Sequence, residues 1–276
     1  MAKQVDIGEY IREAERRRLK LDLSRMEAAP GVPVGFRPTQ TFNDIVAGIA
    51  LGRRISANLV LVSGLNGAGK TTALRVYWRG TPGTEYWEAR AGYNAKSVLK
   101  DILQPLPLTV GEGWRLQTST AVKYLLENPR VFLIDEAQRL DYHSLDLLKY
   151  VADNTGSMFV LSASPSLATR IERWPDISSR CPVRVEVTAM SVSEFVELWQ
   201  NEGWSLEALE EIHKLSHGVM RTISALFRVL DDYRTAVAEE RDTEVPRHAF
   251  GADHVRRIAT GVVPVETAAS ELARRS

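Results

Sequence analysis

From Asn58 to Ser63 the chain reads Asn-Leu-Val-Leu-Val-Ser, a short apolar run that does not alternate with polar positions. A strand facing water on one side alternates, so an unbroken β-branched run predicts a central parallel strand buried on both faces. Similar runs recur at Glu85–Ala89, Arg130–Ile134, Met158–Leu161 and Val183–Val187. Between them apolar residues return at three- and four-residue steps over Lys96–Leu103, Thr118–Glu127, Ser144–Asp153 and Leu167–Arg173, the spacing of helices with one buried face. A further helix is expected over Phe42–Leu51, with Asn43 or Thr41 as its N-cap. Strand and helix in alternation predict an α/β fold around a parallel sheet. Beyond Val187 only helical patterns remain, over Ser191–Gln200, Ser205–Leu215, Val219–Ala238 and Asp253–Thr260, which predicts a small all-helical subdomain. At the other end, Ile7, Tyr10, Ile11, Ala14, Leu19, Leu23 and Met26 mark one amphipathic helix. Two prolines and two glycines in Ala29–Gly35 break it and read as a linker. The expected division is a helix over 1–28, a linker over 29–38, an α/β core over 39–188, a helical subdomain over 189–262 and a tail over 263–276.

Composition narrows the class. With 276 residues, 44% hydrophobic and 25% charged, the chain can bury a sizeable core, which excludes wholesale disorder and low-complexity architectures. Thirty-five basic residues balance thirty-five acidic ones, so any affinity for nucleic acid has to come from a local basic surface. Cys181 is the only cysteine, which rules out an intrachain disulfide and a cysteine-based zinc cluster and fits a reducing interior. His213 and His217 stand at an i,i+4 spacing, yet with no third ligand nearby they read as helix-surface residues. The first twenty residues hold no apolar run of signal-peptide length, and no window approaches the roughly 18 apolar residues of a membrane span. A cytoplasmic protein without a membrane partner is expected.

Two segments carry chemistry. Gly64-Leu65-Asn66-Gly67-Ala68-Gly69-Lys70-Thr71 fits G-x-x-x-x-G-K-[ST] and stands between the buried strand at 59–63 and a helix beginning near Thr71. In that context the glycines turn successive backbone N–H groups toward an anion, and the helix N-terminus adds its partial positive charge. Lys70 would reach the β- and γ-phosphates and the Thr71 hydroxyl would ligate Mg2+. The nucleotide-binding set is therefore Gly64, Asn66, Gly67, Ala68, Gly69, Lys70, Thr71 and Thr72. Val131-Phe132-Leu133-Ile134-Asp135-Glu136 then delivers two carboxylates at the C-terminal end of a buried strand, where parallel sheets place their ligands. Asp135 would hold Mg2+ through water, and Glu136 would polarise the water that attacks the γ-phosphate.

The Asp135-Glu136-Ala137-Gln138 ending, with Arg139-Leu140 after it, resembles the AAA+ ATPases of the transposition-helper type, the family of MuB, TnsC and TniB. The resemblance runs from about Phe36 to Arg257. It takes in Pro38-Thr39-Gln40-Thr41 ahead of the core, and Leu198-Trp199-Gln200 and Gly218-Val219-Met220-Arg221-Thr222-Ile223, which are similar to the family's lid helices. It implies a P-loop AAA+ three-layer sandwich with a central parallel sheet and a helical lid, using ATP and Mg2+. It also implies that Ser164 senses the γ-phosphate, that Arg180 is an arginine finger serving a neighbouring subunit, and that Arg221 is a second sensor from the lid. A finger acting in trans implies self-assembly, in the family an ATP-dependent ring or helical filament around double-stranded DNA held without sequence readout, with a transposase as client. Candidate backbone contacts are Arg90, Lys96, Lys100, Arg115 and Lys123. MuB carries an N-terminal helix-turn-helix domain. Here the residues before the core read as one helix and a linker, in which Glu15-Arg16-Arg17-Arg18-Leu19-Lys20 is either a basic arm or a charge-laced helix face. An initiator or helicase-loader ATPase, and a nucleotide-gated binding module without a DNA role, remain open beside this reading.

Overall fold

The computed structural model describes residues 36–241 and 244–259. The expected 1–28 helix, most of the 29–38 linker and the 263–276 tail lie outside the described residues. The described residues fall into two units, one formed by residues 36–66 together with Lys70–Val187, the other by Gly67–Gly69 and the described residues after Val187.

The first unit is built on five parallel strands: β1 (Leu59–Gly64), β2 (Thr84–Glu88), β3 (Val131–Asp135), β4 (Met158–Ala163) and β5 (Val183–Val187). Their lateral order is β2-β3-β4-β1-β5. The three central strands are almost wholly buried, which is why their sequences run apolar without alternation. Helices α1 (Gln40–Arg54) and α2 (Lys70–Gly80) pack on one face. Helices α3 (Ala95–Leu103), α4 (Trp114–Glu127) and α5 (Tyr142–Thr155) cover the other, joined by α6 (Pro165–Glu172) and α7 (Pro175–Ser178). Phe132, Phe159, Leu59 and Leu61 meet Val98, Leu99, Ile102, Leu125 and Leu148 in that second layer of core. The fold is the α/β parallel sandwich that the sequence predicted.

Several helix starts precede the expected residue, and two show why. The cap of α1 is Thr39, extended in backbone, whose hydroxyl accepts the Phe42 N–H at 3.2 Å; Thr41 and Asn43 are already inside the helix. Helix α4 begins at Trp114, not Thr118, because Thr118 turns its hydroxyl inward onto Trp114 O at 2.8 Å and so rides inside the helix instead of opening it.

Gly64, where β1 ends, has φ +146° and pairs with Val187 of β5. A Cβ there would stand 2.0 Å from Val187 O. Gly64→Ala is expected to lower stability by about 2–3 kcal/mol through backbone strain and this clash, read as a fall in the urea unfolding midpoint.

The second unit is helical: α8 (Val192–Trp199), α9 (Leu206–Ser216), α10 (Met220–Arg241) and α11 (Ala252–Ala259). Phe195, Trp204, Leu209, Ile212, Ile223, Leu226 and Val255 form its core. Buried Glu211 takes both oxygens to Arg256, at 2.7 and 2.9 Å, and that charge-assisted pair holds its carboxyl below the ordinary carboxylate range. His213 is not a plain surface residue. Its Nε2 donates to Met190 O at 2.8 Å, while His217 has left the helix with φ +51°, so the two imidazoles do not share one face.

Candidate functional site

Strand β1 runs directly into the glycine-rich loop, and α2 begins at its lysine. Gly64, Gly67 and Gly69 all have positive φ, a backbone that L side chains rarely adopt, so the loop can wind tightly only with glycine at these points. Asn66 is exposed and Ala68 is buried. Lys70, Thr71 and Thr72 form the first turn of α2, where the backbone N–H groups have no intrahelical acceptor. The Lys70 ammonium folds back along the loop and donates to Gly64 O at 2.8 Å and Leu65 O at 2.9 Å. A cation beside the backbone amides of a helix N-terminus forms an anion site.

The acidic pair stands at the same end of the sheet. Because β1 and β3 are parallel, both release their chains at their C-terminal ends, and β4 lies between them. Asp135 is 3% exposed. Its Oδ1 accepts from Ser162 Oγ at 2.8 Å and from the Glu136 N–H at 3.0 Å, and its Oδ2 accepts from Tyr86 Oη at 3.3 Å. All three direct partners are neutral donors, and the nearby charge of Arg75 acts from beyond Tyr86, so a cation bound at the carboxylate would add direct compensation. A carboxylate and the Thr71 hydroxyl are hard oxygen donors of the kind Mg2+ takes while keeping most of its waters, so the residues fit that ion. Tyr86 in turn accepts from Arg75 Nε at 3.2 Å. Burial, with Asp135 beside it, pushes the Tyr86 phenol up to about 12, so it stays a proton donor.

Glu136 follows with φ +53°, a left-handed backbone rare for a residue with a side chain, and this turn aims it away from the strand. Gln138 Nε2 donates to its Oε2 at 2.7 Å, and Arg139 stands 3.6 Å from the same oxygen. The Gln138 amide also reaches the β4 end, where its Oε1 accepts the Ser164 N–H at 3.2 Å.

The other sequence candidates are spread. Ser164 caps α6 without a side-chain cap bond, and its hydroxyl pairs with that of Ser166 at 2.8 Å; Ser162, two residues earlier, is the serine that touches the acidic pair. Arg180 is not brought to the phosphate loop. Its carbonyl accepts the N–H of Leu59, at the opposite end of β1, and its half-exposed guanidinium meets Asp153 at 2.9 Å. Arg221 is exposed in the first turn of α10, and its N–H donates to Gly67 O at 3.0 Å, so this loop glycine packs with the helical residues. Arg90, Lys96, Lys100, Arg115 and Lys123 are all exposed, on α3, α4 and the turn that follows β2. Burial raises the nearby Asp101 carboxyl, and the charge of Arg90 pulls the other way. Sequence reasoning gave no role to Ser162, Tyr86 or Arg75. The available signal was period two: Tyr86 and Ser162 share the sheet face of Asp135.

Residues 53–171, which hold the loop and the acidic pair, match the AAA domain family. Among solved structures, the chain is similar to the Orc2 protein of Aeropyrum pernix, described in ADPNP and ADP complexes, with a TM-score of 0.61 and 20% identity over 86% of this chain and 71% of that one. It is similar to Cdc6p from Pyrobaculum aerophilum, with a TM-score of 0.62 and 13% identity over 86% and 70%. It is also similar to the Orc1 protein of Aeropyrum pernix in complex with DNA, with a TM-score of 0.58 and 19% identity over 85% and 68%. At these identities the likeness establishes the P-loop AAA+ fold. No curated protein matches the chain in sequence. Among the described residues, no helix is long and apolar enough to cross a membrane.

Proposed function

We propose that the protein is an ATP-hydrolysing AAA+ switch that assembles on double-stranded DNA and serves as a target-selection adaptor for a transposase. The observation that carries the nucleotide chemistry is the shared sheet end. The phosphate loop leaves β1 there, and Asp135-Glu136 leaves β3 there, one strand apart. In this reading Lys70 and the loop amides hold the β- and γ-phosphates, and Thr71 and Asp135 hold Mg2+. Mg2+ held by these two residues would supply charge neutralisation to the phosphate oxygens. Glu136, with Oε2 steadied by Gln138, takes a proton from the attacking water; the new P–O bond forms and ADP leaves with the bridging oxygen. Ser164 and Arg221 report the γ-phosphate, and Arg180, remote from its own loop, serves the site of a neighbour. Loss of the γ-phosphate then loosens the assembly.

The DNA role is supported by the resemblance of the acidic ending and lid segments to transposition helpers, and by five exposed basic side chains between β2 and the end of α4. A labelled random-sequence duplex, titrated at moderate salt with ATP, with ADP and without nucleotide, is expected to show cooperative anisotropy gain in the ATP arm alone. Equal or absent binding in all three arms overturns it.

The likeness to Orc2 and Cdc6p favours a second reading, an initiator-type ATPase. ATP-dependent capture of a replicative helicase, with none of a transposase, would select it.

A further inference from the structure

Asp135 is held from both sides of its strand. Strand β4 supplies Ser162, wholly buried, at 2.8 Å from Oδ1. Strand β2 supplies Tyr86 at 3.3 Å from Oδ2, and Tyr86 is itself fixed by Arg75 Nε at 3.2 Å and by stacking on Trp78 at 5.4 Å between centroids. The register explains the convergence. Glu88 pairs with Asp135, which puts Tyr86 on the same face one pleat away, and Leu161 pairs with Ile134, which puts Ser162 beside Asp135.

Each contact does a different job. Oδ1 is fully used, by the Ser162 hydroxyl and the Glu136 N–H, so it cannot swing toward a ligand. The Tyr86 contact is longer than an ordinary O–H···O bond, which restrains Oδ2 while leaving it room for a second donor. Arg75 lies on α2, the helix that starts at Lys70, so the chain Arg75–Tyr86–Asp135 ties the phosphate-loop helix to the acidic strand.

We propose that Ser162 and Tyr86 are positioning residues that clamp the Asp135 carboxylate with only Oδ2 presented to a metal-bound water, so that they set the Mg2+ affinity of the nucleotide complex. This rests on the reading of Asp135 as the Mg2+ carboxylate. Both residues act through Asp135 and touch neither nucleotide nor metal.

The test uses the full chain and a fluorescent ADP, whose affinity is measured first in EDTA and then across a Mg2+ titration. Ser162→Ala is expected to raise the Mg2+ midpoint about tenfold, within the range seen when the partner of a metal ligand is removed. Tyr86→Phe, which keeps the ring against Trp78, is expected to raise it several-fold, and Arg75→Met less than that. Affinity in EDTA should stay at the wild-type value in all three. Asp135→Asn is the reference for the underlying reading: if it leaves the Mg2+ midpoint unmoved, or if the wild type binds no nucleotide, that reading fails and the clamp with it. If Asp135→Asn shifts the midpoint while Ser162→Ala and Tyr86→Phe do not, the clamp alone is overturned. A fall in EDTA affinity that matches the fall with Mg2+ would mean a general structural role and would also overturn it. Urea midpoints of the variants identify any that fail to fold, and Ser162→Thr, which keeps the hydroxyl, should then restore the wild-type Mg2+ midpoint.

Discussion

Lys70→Ala is expected to weaken ATP and ADP binding by at least about 100-fold, with the unfolding midpoint in urea little changed. The ammonium lies along the loop, held by Gly64 O and Leu65 O at 2.8 and 2.9 Å. The Leu65 contact is exposed and the Gly64 contact only part-buried, so water can take over as donor when the side chain is removed, and folding loses little. The phosphates have no such substitute. A hydrogen bond from a charged donor to a charged acceptor contributes about 1.5–3 kcal/mol, and two phosphates share this one cation. The loop amides and the start of α2 remain, so residual binding should respond less strongly to salt than in the wild type, because one charge–charge contact is gone. Isothermal titration with ADP at two salt concentrations measures both. Binding within a fewfold of wild type would remove Lys70 from the phosphate site.

Glu136→Gln is expected to lower the rate of ATP hydrolysis about 100- to 1,000-fold, the loss typical of a positioned general base, while leaving ATP affinity unchanged. The substitution is close to isosteric, so it removes the basic oxygen without disturbing the turn. It inherits the left-handed φ of +53°, and the amide oxygen can still accept from Gln138 Nε2. The variant should therefore be as stable as the wild type. Under the proposed function its ATP-bound assemblies should outlast those of the wild type on DNA, since the γ-phosphate is not removed. Single-turnover hydrolysis and the decay of anisotropy after dilution read the two effects separately. A variant that hydrolyses slowly yet leaves DNA as fast as the wild type would show that hydrolysis is not the release step, and one that hydrolyses at the wild-type rate would displace Glu136 as the base.

The strands were legible where burial on both faces suppresses alternation, as at Leu59–Ser63 and Val131–Ile134, because a central parallel strand has no polar side to record. Helix starts were less so. Thr118 has the side chain of a cap, but whether a threonine caps a helix or bonds back inside one depends on the backbone around it, which at Gly113 takes φ +108° and lets the helix begin early. His213 looked like half of an exposed pair because spacing cannot tell that Met190 O would lie 2.8 Å away, on a segment more than twenty residues earlier.

The candidate site divides in the same way. The G-x-x-x-x-G-K-[ST] spacing names Lys70 and Thr71 because a phosphate loop is one continuous segment whose geometry is local. Asp135-Glu136 could be named because a strand ending in carboxylates is also a local pattern. What surrounds them is not local: Tyr86 lies 49 residues from Asp135, and Ser162 lies 27 residues from it. The sequence by itself determined the α/β class, the strand and helix segments and the place of the phosphate loop. Only the tertiary structure decided that β4 lies between β1 and β3, that Asp135 is gripped from both neighbouring strands, and that Arg180 sits at the far end of β1 from its own loop. The physical reason is that periodicity records which face of an element is buried, whereas the lateral neighbours of a parallel strand are set by crossover connections whose course no local pattern encodes.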